Sequence, residues 1–262
     1  MRSLAIFSIL IISIVSFSCT DSSNKNNDEK IVDEAVDGVV VYTAKSIRDE
    51  DPACSDAPEH CAKIIINFPE ITDVPATLNK ERLNKEIKKA ILASALNPEG
   101  KLNSIDKACK LFLADFADFK KAMQQQVPAW SIEIDVEVIN NDNNYLSLQV
   151  NENSYMGGAH PNQFTSFLNF DSRTGEKINL KALIKDTGKL EVLAEQAFRK
   201  TKKLADAENL SEAGYFFEEG KFKISDNFGI SQGKLLLYYN SYEIAPYSLG
   251  PTLLQLPLEK VL

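Results

Sequence analysis

The clearest pattern along the chain is a strict alternation of apolar and polar residues in its middle part. Between residues 131 and 139 every second side chain is apolar, and the alternation resumes over residues 145–150 after the polar run 140–144. A period of two with one polar face is typical of a β-strand with one face in water. Because the run between the two stretches is turn-like, they predict an antiparallel hairpin.

Shorter apolar runs predict further strands on both sides of this hairpin. The two runs that precede it bracket a polar loop with two cysteines, so we expect them to form a strand pair closed by a disulfide. These predicted strands cover residues 39–44, 62–68, 164–170, 222–224, 228–230, 234–240 and 253–258.

Three other stretches carry the spacing of amphipathic helices, at residues 78–96, 105–123 and 188–205. The second has a stripe of phenylalanines, which indicates a face packed in the core or, less commonly, the wall of a ligand pocket. Strands in runs with helices grouped between them predict an α+β fold. We expect mainly antiparallel sheets with packed helices, in two intimately associated subdomains.

The first 18 residues are typical of an export signal. Arg2 is followed by an uncharged run over residues 4–17, which is too short to span a membrane in the mature protein. The small residues before Cys19 resemble the lipobox of bacterial lipoproteins, which implies lipidation of the Cys19 thiol; ordinary secretion with Cys19 incidental is the alternative. Residues 19–37 are polar and predict a flexible tether that holds the domain off a membrane.

The chain is acidic, with 29 basic against 37 acidic residues and a formal net charge of −8. This balance argues against nucleic acid and against direct binding of anionic lipid headgroups, and it tolerates a basic protein partner. The chain also lacks a nucleophile elbow, a phosphate-binding loop and a metalloprotease helix motif. The sequence therefore predicts no cofactor and no metal.

Three further cysteines have different expected roles. Cys54 and Cys61 bracket a polar, turn-prone segment, and in an exported protein this spacing predicts a small disulfide loop. A metal site formed by Cys54, His60 and Cys61 is the alternative, although it lacks an obvious fourth ligand. Cys109 falls on the apolar face of the second helix, where we expect a buried free thiol.

Residues 155–162 interrupt the strand pattern with two glycines, a histidine and a proline. Gly157 and Gly158 allow backbone angles closed to other residues, and Pro161 biases His160 toward an extended conformation. Such a crossing between two strands can hold an imidazole at a fixed place. The segment is therefore the main candidate for a functional site.

Three roles for His160 follow from this placement. The side chain could act as a general base oriented by a carboxylate such as Glu243, it could contact a ligand, or it could pin the crossing to a second aromatic stretch at residues 241–250. We assign no catalytic residue. The candidate ligand-binding residues are Tyr155, Gly157, Gly158, His160, Asn162, Tyr242, Glu243 and Tyr247.

Three motifs in order, at residues 157–162, 169–175 and 242–250, resemble the signature of one domain family. It is a domain of unknown function found in the extracellular part of the lysozyme-sensing anti-sigma factor RsiV. A similar region precedes the catalytic domain of the peptidoglycan deacetylase PdaC. The resemblance implies a PdaC-like α/β subdomain at residues 38–153 and an RsiV-like subdomain at residues 154–262.

This resemblance implies a binding module more than an enzyme. We expect no anti-sigma role, because the sequence has no cytoplasmic segment, and no deacetylase role, because it has no run of metal-binding His and Asp. The expected function is a lipid-anchored binding module of the cell envelope, outside the cytoplasm, which recognises an envelope-directed protein such as lysozyme or a peptidoglycan fragment. A small envelope hydrolase that uses His160 is the alternative.

Overall fold

The first half of the protein is built on a five-stranded sheet. The structure, a computed structural model, describes residues 39–123 and 127–262, so the predicted signal and tether lie outside the described residues. The strands are β1 (Val41–Glu50), β2 (Ala62–Asp73), β3 (Trp130–Asn141), β4 (Tyr145–Tyr155) and β5 (Asn162–Asp171), and they lie side by side in this order.

Both predicted strand pairs are confirmed. Strands β3 and β4 form the expected antiparallel hairpin, and β1 pairs with β2 across the loop that the Cys54–Cys61 disulfide closes. The one parallel pair of this sheet is β2 with β3, which aligns Ala62 with Trp130. Parallel neighbours need a long crossover, and two helices supply it here.

The two helices, α1 (Lys80–Leu92) and α2 (Ile105–Met123), cover one face of the sheet and enclose the first hydrophobic core. Helix α1 begins after Asn79, whose side-chain oxygen accepts a hydrogen bond from the Arg82 amide at 2.7 Å. It ends four residues before the predicted end at residue 96. There the Asn97 side chain bonds the carbonyls of Leu92 and Leu102 and folds the chain into a loop.

The second half of the protein has its own sheet and its own core. The antiparallel strands β6 (Phe228–Ser231), β7 (Lys234–Tyr239) and β8 (Thr252–Pro257) follow the helices α3 (Leu180–Leu183) and α4 (Thr187–Lys202). No helix within residues 39–123 and 127–262 is long and apolar enough to cross a membrane. Short 3-10 turns occur at Pro52–Ser55, Pro58–His60, Glu218–Gly220, Tyr247–Leu249 and Leu258–Lys260.

One predicted strand, residues 222–224, is wrong. This segment has no strand partner and instead wraps over the second core. The Phe222 ring packs on Phe198 at 5.5 Å, and the Lys223 carbonyl accepts a hydrogen bond from the Tyr239 hydroxyl at 2.7 Å. The alternating apolar residues therefore reflect contact with the core and not pairing in a sheet.

The second sheet packs against the face of the first sheet opposite its helices, through a buried polar network. The Ser147 hydroxyl donates to the Asn169 side-chain oxygen at 2.6 Å and accepts from the Ile230 amide, while the Asn169 amide group donates to the Phe228 carbonyl at 2.7 Å. Since each member of the network has a partner, the two halves are held in one fixed register.

The division between the two cores lies later than the predicted subdomain boundary. The boundary after residue 153 falls within β4, and the first core extends to Phe170, while the second begins at Leu180. Strand β5 therefore belongs to the first sheet, because it pairs with β4 along its whole length.

Candidate functional site

The loop between β4 and β5 meets the loop between β7 and β8 at one end of the molecule. In the first loop, Gly157 and Gly158 have φ angles of 87° and 112°, which favour glycine, and the Tyr155 hydroxyl donates to the Gly158 carbonyl at 3.1 Å. This turn leaves His160 exposed at the start of β5. The two glycines therefore allow the backbone turn that leaves the His160 imidazole exposed.

His160 lies between two tyrosines of the second loop. Its ring stacks on Tyr247 with 3.8 Å between centroids and an angle of 12° between the planes. Its Nδ1 lies 2.9 Å from the Pro161 carbonyl, which can only accept, so Nδ1 carries the proton. Nε2 is then the acceptor for the Tyr242 hydroxyl at 3.3 Å. The histidine therefore joins two loops that are far apart in sequence.

Tyr242 has the least favourable backbone of this cluster. Its φ is 68°, a left-handed value that is costly for a residue with a large side chain, and 58% of its surface is exposed. The turn is closed on both sides by Glu243, whose amide donates to the Asn240 carbonyl and whose carboxylate accepts from the Asn240 amide at 2.8 Å. Glu243 therefore stabilises the turn that holds Tyr242 outward, and its carboxylate is engaged in that turn.

The predicted site residues are brought together only in part. His160, Tyr242 and Tyr247 contact one another and define the surface that we call the aromatic surface, while Tyr155 and Gly158 are bonded to each other within the loop that carries His160. Neither ring nitrogen of His160 contacts a carboxylate of the described residues, so the expected orientation by Glu243 is not found.

Asn162 has a structural position in strand β5, and within the described residues no hydrogen bond from it to the aromatic surface is seen. It begins β5, where it is paired with Ser154 in the strand ladder, and its side chain is exposed. Its position next to the aromatic surface comes from the strand pairing.

The cysteine loop contains a disulfide and no metal site. Cys54 and Cys61 are joined to each other, so neither thiolate is free to bind a metal. His60 donates from Nδ1 to the Val127 carbonyl at 2.7 Å, so this ring nitrogen carries a proton and is not a metal ligand. Within the described part of the chain, no group of three or more His, Cys, Asp or Glu could hold a metal ion.

Cys109 is the buried free thiol that the helical pattern predicts. Burial raises the pKa of this thiol to about 11, since the charged thiolate is disfavoured away from water. The side chain therefore behaves as a small apolar residue of the first core.

The sequence reasoning missed two polar residues whose side chains make buried contacts. Asn240, just after β7, bonds both the amide and the carbonyl of Thr165 on β5, at 2.7 and 3.0 Å, and so ties the second loop to the first sheet. Glu152 occupies a position that the alternation of β4 assigns to the buried face, after Leu146, Leu148 and Val150. A carboxylate at a position where the alternation predicts an apolar residue could have identified Glu152 from the sequence.

Comparison with known families agrees with this architecture of two sheets and two cores. The family model described as "Deacetylase PdaC" matches residues 56–163, and the model described as "Protein of unknown function (DUF3298)" matches residues 181–259. The protein thus combines a region similar to PdaC with a region similar to DUF3298. No curated protein matches the chain.

Solved structures of the DUF3298 family share the fold. A member from Bacteroides fragilis NCTC 9343 is 20% identical with a TM-score of 0.65, and the alignment covers 84% of this chain and 91% of that one. A member from Pseudomonas aeruginosa PAO1 is 19% identical with a TM-score of 0.60, over 84% and 92%. At this identity the likeness establishes the α+β fold.

Proposed function

We propose that the protein is a lipid-anchored binding module of the cell envelope, which recognises a basic, envelope-directed protein through the aromatic surface. The observation that carries this proposal is Tyr242, an exposed aromatic side chain on a left-handed backbone. A strained conformation persists only where the surroundings enforce it, and such positions cluster at functional sites. Tyrosine is also enriched among the residues that dominate binding energy at protein interfaces.

The surface suits a protein partner better than a small molecule. Small ligands are bound in concave clefts, whereas His160 and Tyr242 are both exposed on loops that project from the ends of strands. Rings that are already stacked on one another, as His160 is on Tyr247, lose little conformational freedom on binding. These features support recognition of a second protein.

Charge supports a basic partner. A chain with a net charge of −8 attracts cationic proteins and repels anionic ones, which raises the association rate with the former. Lysozyme is such a cationic, envelope-directed protein, and the resemblance to the sensing region of RsiV suggests it as the first partner to test. A peptidoglycan fragment is the second ligand to test.

The proposed anchor and location rest on the sequence. Lipidation of Cys19 after removal of residues 1–18 would place the domain outside the cytoplasm on a membrane surface. Cys19→Ala is expected to move the protein from the membrane fraction to the soluble exported fraction. Retention of the variant in the membrane fraction would refute the lipid anchor.

Binding is favoured over hydrolysis because His160 lacks the partners of a hydrolytic base. Its Nδ1 proton is donated to a carbonyl and its Nε2 faces a phenol, so within residues 39–123 and 127–262 no carboxylate orients the ring and no serine or cysteine is bonded to it. General-base catalysis needs a reacting proton within hydrogen-bond reach. A tyrosine–histidine pair on an open surface is therefore better suited to binding a partner than to general-base catalysis.

The test measures lysozyme binding by calorimetry with protein that lacks residues 1–19. Tyr242→Ala should weaken binding by roughly 30-fold, the scale of a hot-spot residue, whereas Leu111→Ala, an equally apolar exposed position on α2, should not change it. Absence of binding to both lysozyme and soluble peptidoglycan at micromolar concentration would overturn the proposal. Peptidoglycan cleavage that His160→Ala abolishes in a folded protein would establish the hydrolase instead.

A further inference from the structure

A cleft that does not include the aromatic surface lies between the C-terminal half of α1 and the edge strand β5. It has a volume of about 400 Å³, within the range of small-ligand sites. Its floor includes Glu152 on β4 and Phe164 on β5, and Ala90 and Ala93 form part of the helix wall.

The cleft is lined by the end of α1 and by the two outermost strands of this side of the sheet, β4 and β5. The buried face of α1, with Leu83, Ile87 and Ile91, packs against the sheet in the first core. Strand β5 is the outermost strand, and its register places Phe164 directly opposite Glu152 on the same face. Phe164 is 47% exposed. An apolar ring and a carboxylate thus share an open floor.

Glu152 is buried without a counter-charge. The residue is 8% exposed, and its carboxylate accepts from the Ala95 amide at 3.2 and 3.3 Å and from the Ser154 hydroxyl at 3.1 Å. No cation among residues 39–123 and 127–262 forms an ion pair with it. Burial of a charge without a partner is costly, and it raises the pKa of this carboxyl above its ordinary value. A neutral glutamine could accept the same amide bond, so the local structure alone does not call for an acid.

Two lysine residues also line the cleft. Lys89 of α1 and Lys177, which follows β5, both line it, and neither forms an ion pair with another described residue. The cleft therefore presents one buried negative charge on its floor and two positive charges among its lining residues. Glu86 of α1 is the other charged lining residue.

We propose that this cleft binds a small zwitterionic ligand, of the size of an amino acid or a short peptide, whose ammonium group pairs with Glu152 and whose carboxylate faces Lys89 and Lys177. The Phe164 ring beside Glu152 adds attraction for a cation and an apolar contact for a side chain. An ammonium group would neutralise the buried carboxylate, which gives the ligand a favourable free energy that the empty protein lacks. The inference is independent of the aromatic surface and of its partner.

The test is a titration of the protein with the dipeptide alanyl-alanine, followed by amide chemical shifts in NMR spectra. We expect saturable shifts at Ala95 and Ser154 at millimolar concentration. N-acetyl-alanyl-alanine, which lacks the ammonium group, should bind at least about tenfold more weakly, and alanyl-alanine amide should also bind more weakly. No saturable shift at these amides, or equal binding of the acetylated dipeptide, would overturn the proposal without any need for a variant.

Two matched pairs of variants assign the charges. Glu152→Gln should remove the preference for the free ammonium group, while Glu81→Gln on the exposed side of α1 should preserve it. Lys89→Met should remove the preference for the free carboxylate, while Lys88→Met, which does not line this cleft, should not. A folded Glu152→Gln variant that binds alanyl-alanine as the wild type does would refute the assignment of Glu152.

Discussion

Asn240→Ala should make the protein less stable. The Asn240 side chain bonds the outward-facing backbone groups of the edge strand β5, which a neighbouring strand would otherwise bond. Its side-chain oxygen accepts from the Thr165 amide at 2.7 Å, and its amide group donates to the Thr165 carbonyl at 3.0 Å. Thr165 is buried, so no water replaces these bonds. The substitution leaves the Thr165 amide with no partner.

The size of the effect follows from the two backbone groups. A buried donor left unpaired costs about 1–3 kcal/mol, whereas the Thr165 carbonyl keeps a hydrogen bond from the Asn227 side chain at 2.7 Å. We therefore expect Asn240→Ala to lower the free energy of unfolding by about 2 kcal/mol. Asn227→Ala removes only one of two donors to that carbonyl and should cost about 1 kcal/mol or less.

The assay is urea unfolding, followed by two signals. The single tryptophan, Trp130, packs among Phe112, Phe116 and Phe119 and reports on the first core, while far-ultraviolet circular dichroism reports on both halves. The exposed Asn153→Ala serves as the control and should change stability by less than about 0.5 kcal/mol. A loss for Asn240→Ala no larger than for Asn153→Ala would refute the view that Asn240 supports the edge of β5.

Three further substitutions test other parts of the structure. Replacement of Cys54 and Cys61 by serine should lower the free energy of unfolding by roughly 2.5 kcal/mol, the loop-closure entropy for a sequence separation of 7, as measured by urea unfolding without reductant. Gly229→Ala should cost about 1–3 kcal/mol in the same measurement, because a Cβ there would lie 2.5 Å from the Phe167 ring. Glu152→Gln should change how thermal stability depends on pH. The folded-state pKa of Glu152 is raised above its ordinary 4.5, so the wild type loses stability as pH rises from that value through the raised pKa, and the variant, which does not titrate, should gain relative to it over the same window.

Each of these predictions has its own control. Reductant should bring the wild type to the stability of the double serine variant. Gly188 lies in the first turn of α4, where a Cβ would be at an ordinary contact distance of 3.6 Å from the Asp186 side chain. Gly188→Ala should therefore raise stability by up to about 1 kcal/mol, and a similar gain for Gly229→Ala would contradict the tight contact. Glu81→Gln should leave the pH profile unchanged. A wild-type profile that rises with pH relative to Glu152→Gln would show that burial does not dominate this carboxyl.

Local patterns predicted the elements well, because each is determined by neighbouring residues. The alternation around Val136 gave the hairpin of β3 and β4, and the spacing around Phe116 gave α2 at the predicted bounds. The local patterns did not predict which elements pair or pack with each other. Periodicity does not say that Ala62 aligns with Trp130 in a parallel pair, nor that Phe222 belongs to a core contact without a strand.

The site was predicted in composition more than in geometry. The glycines and the proline identified the loop of His160, and the second aromatic stretch supplied Tyr242 and Tyr247. The sequence does not reveal that Glu243 closes a turn on Asn240, since this depends on a left-handed residue between them. Contacts across the two sheets depend on the packing of the whole chain, which no local pattern encodes.

Strand β5 also determines how the protein can be divided. All but its first two residues lie outside both matched regions, which end at residue 163 and begin at residue 181. A fragment that stops at residue 163 would leave most of β4 as an open edge, and one that starts at residue 181 would carry Asn240 with no strand to bind. We expect both fragments to aggregate. The two family regions are separate in sequence, yet exchange of either one between proteins would have to carry this strand with it.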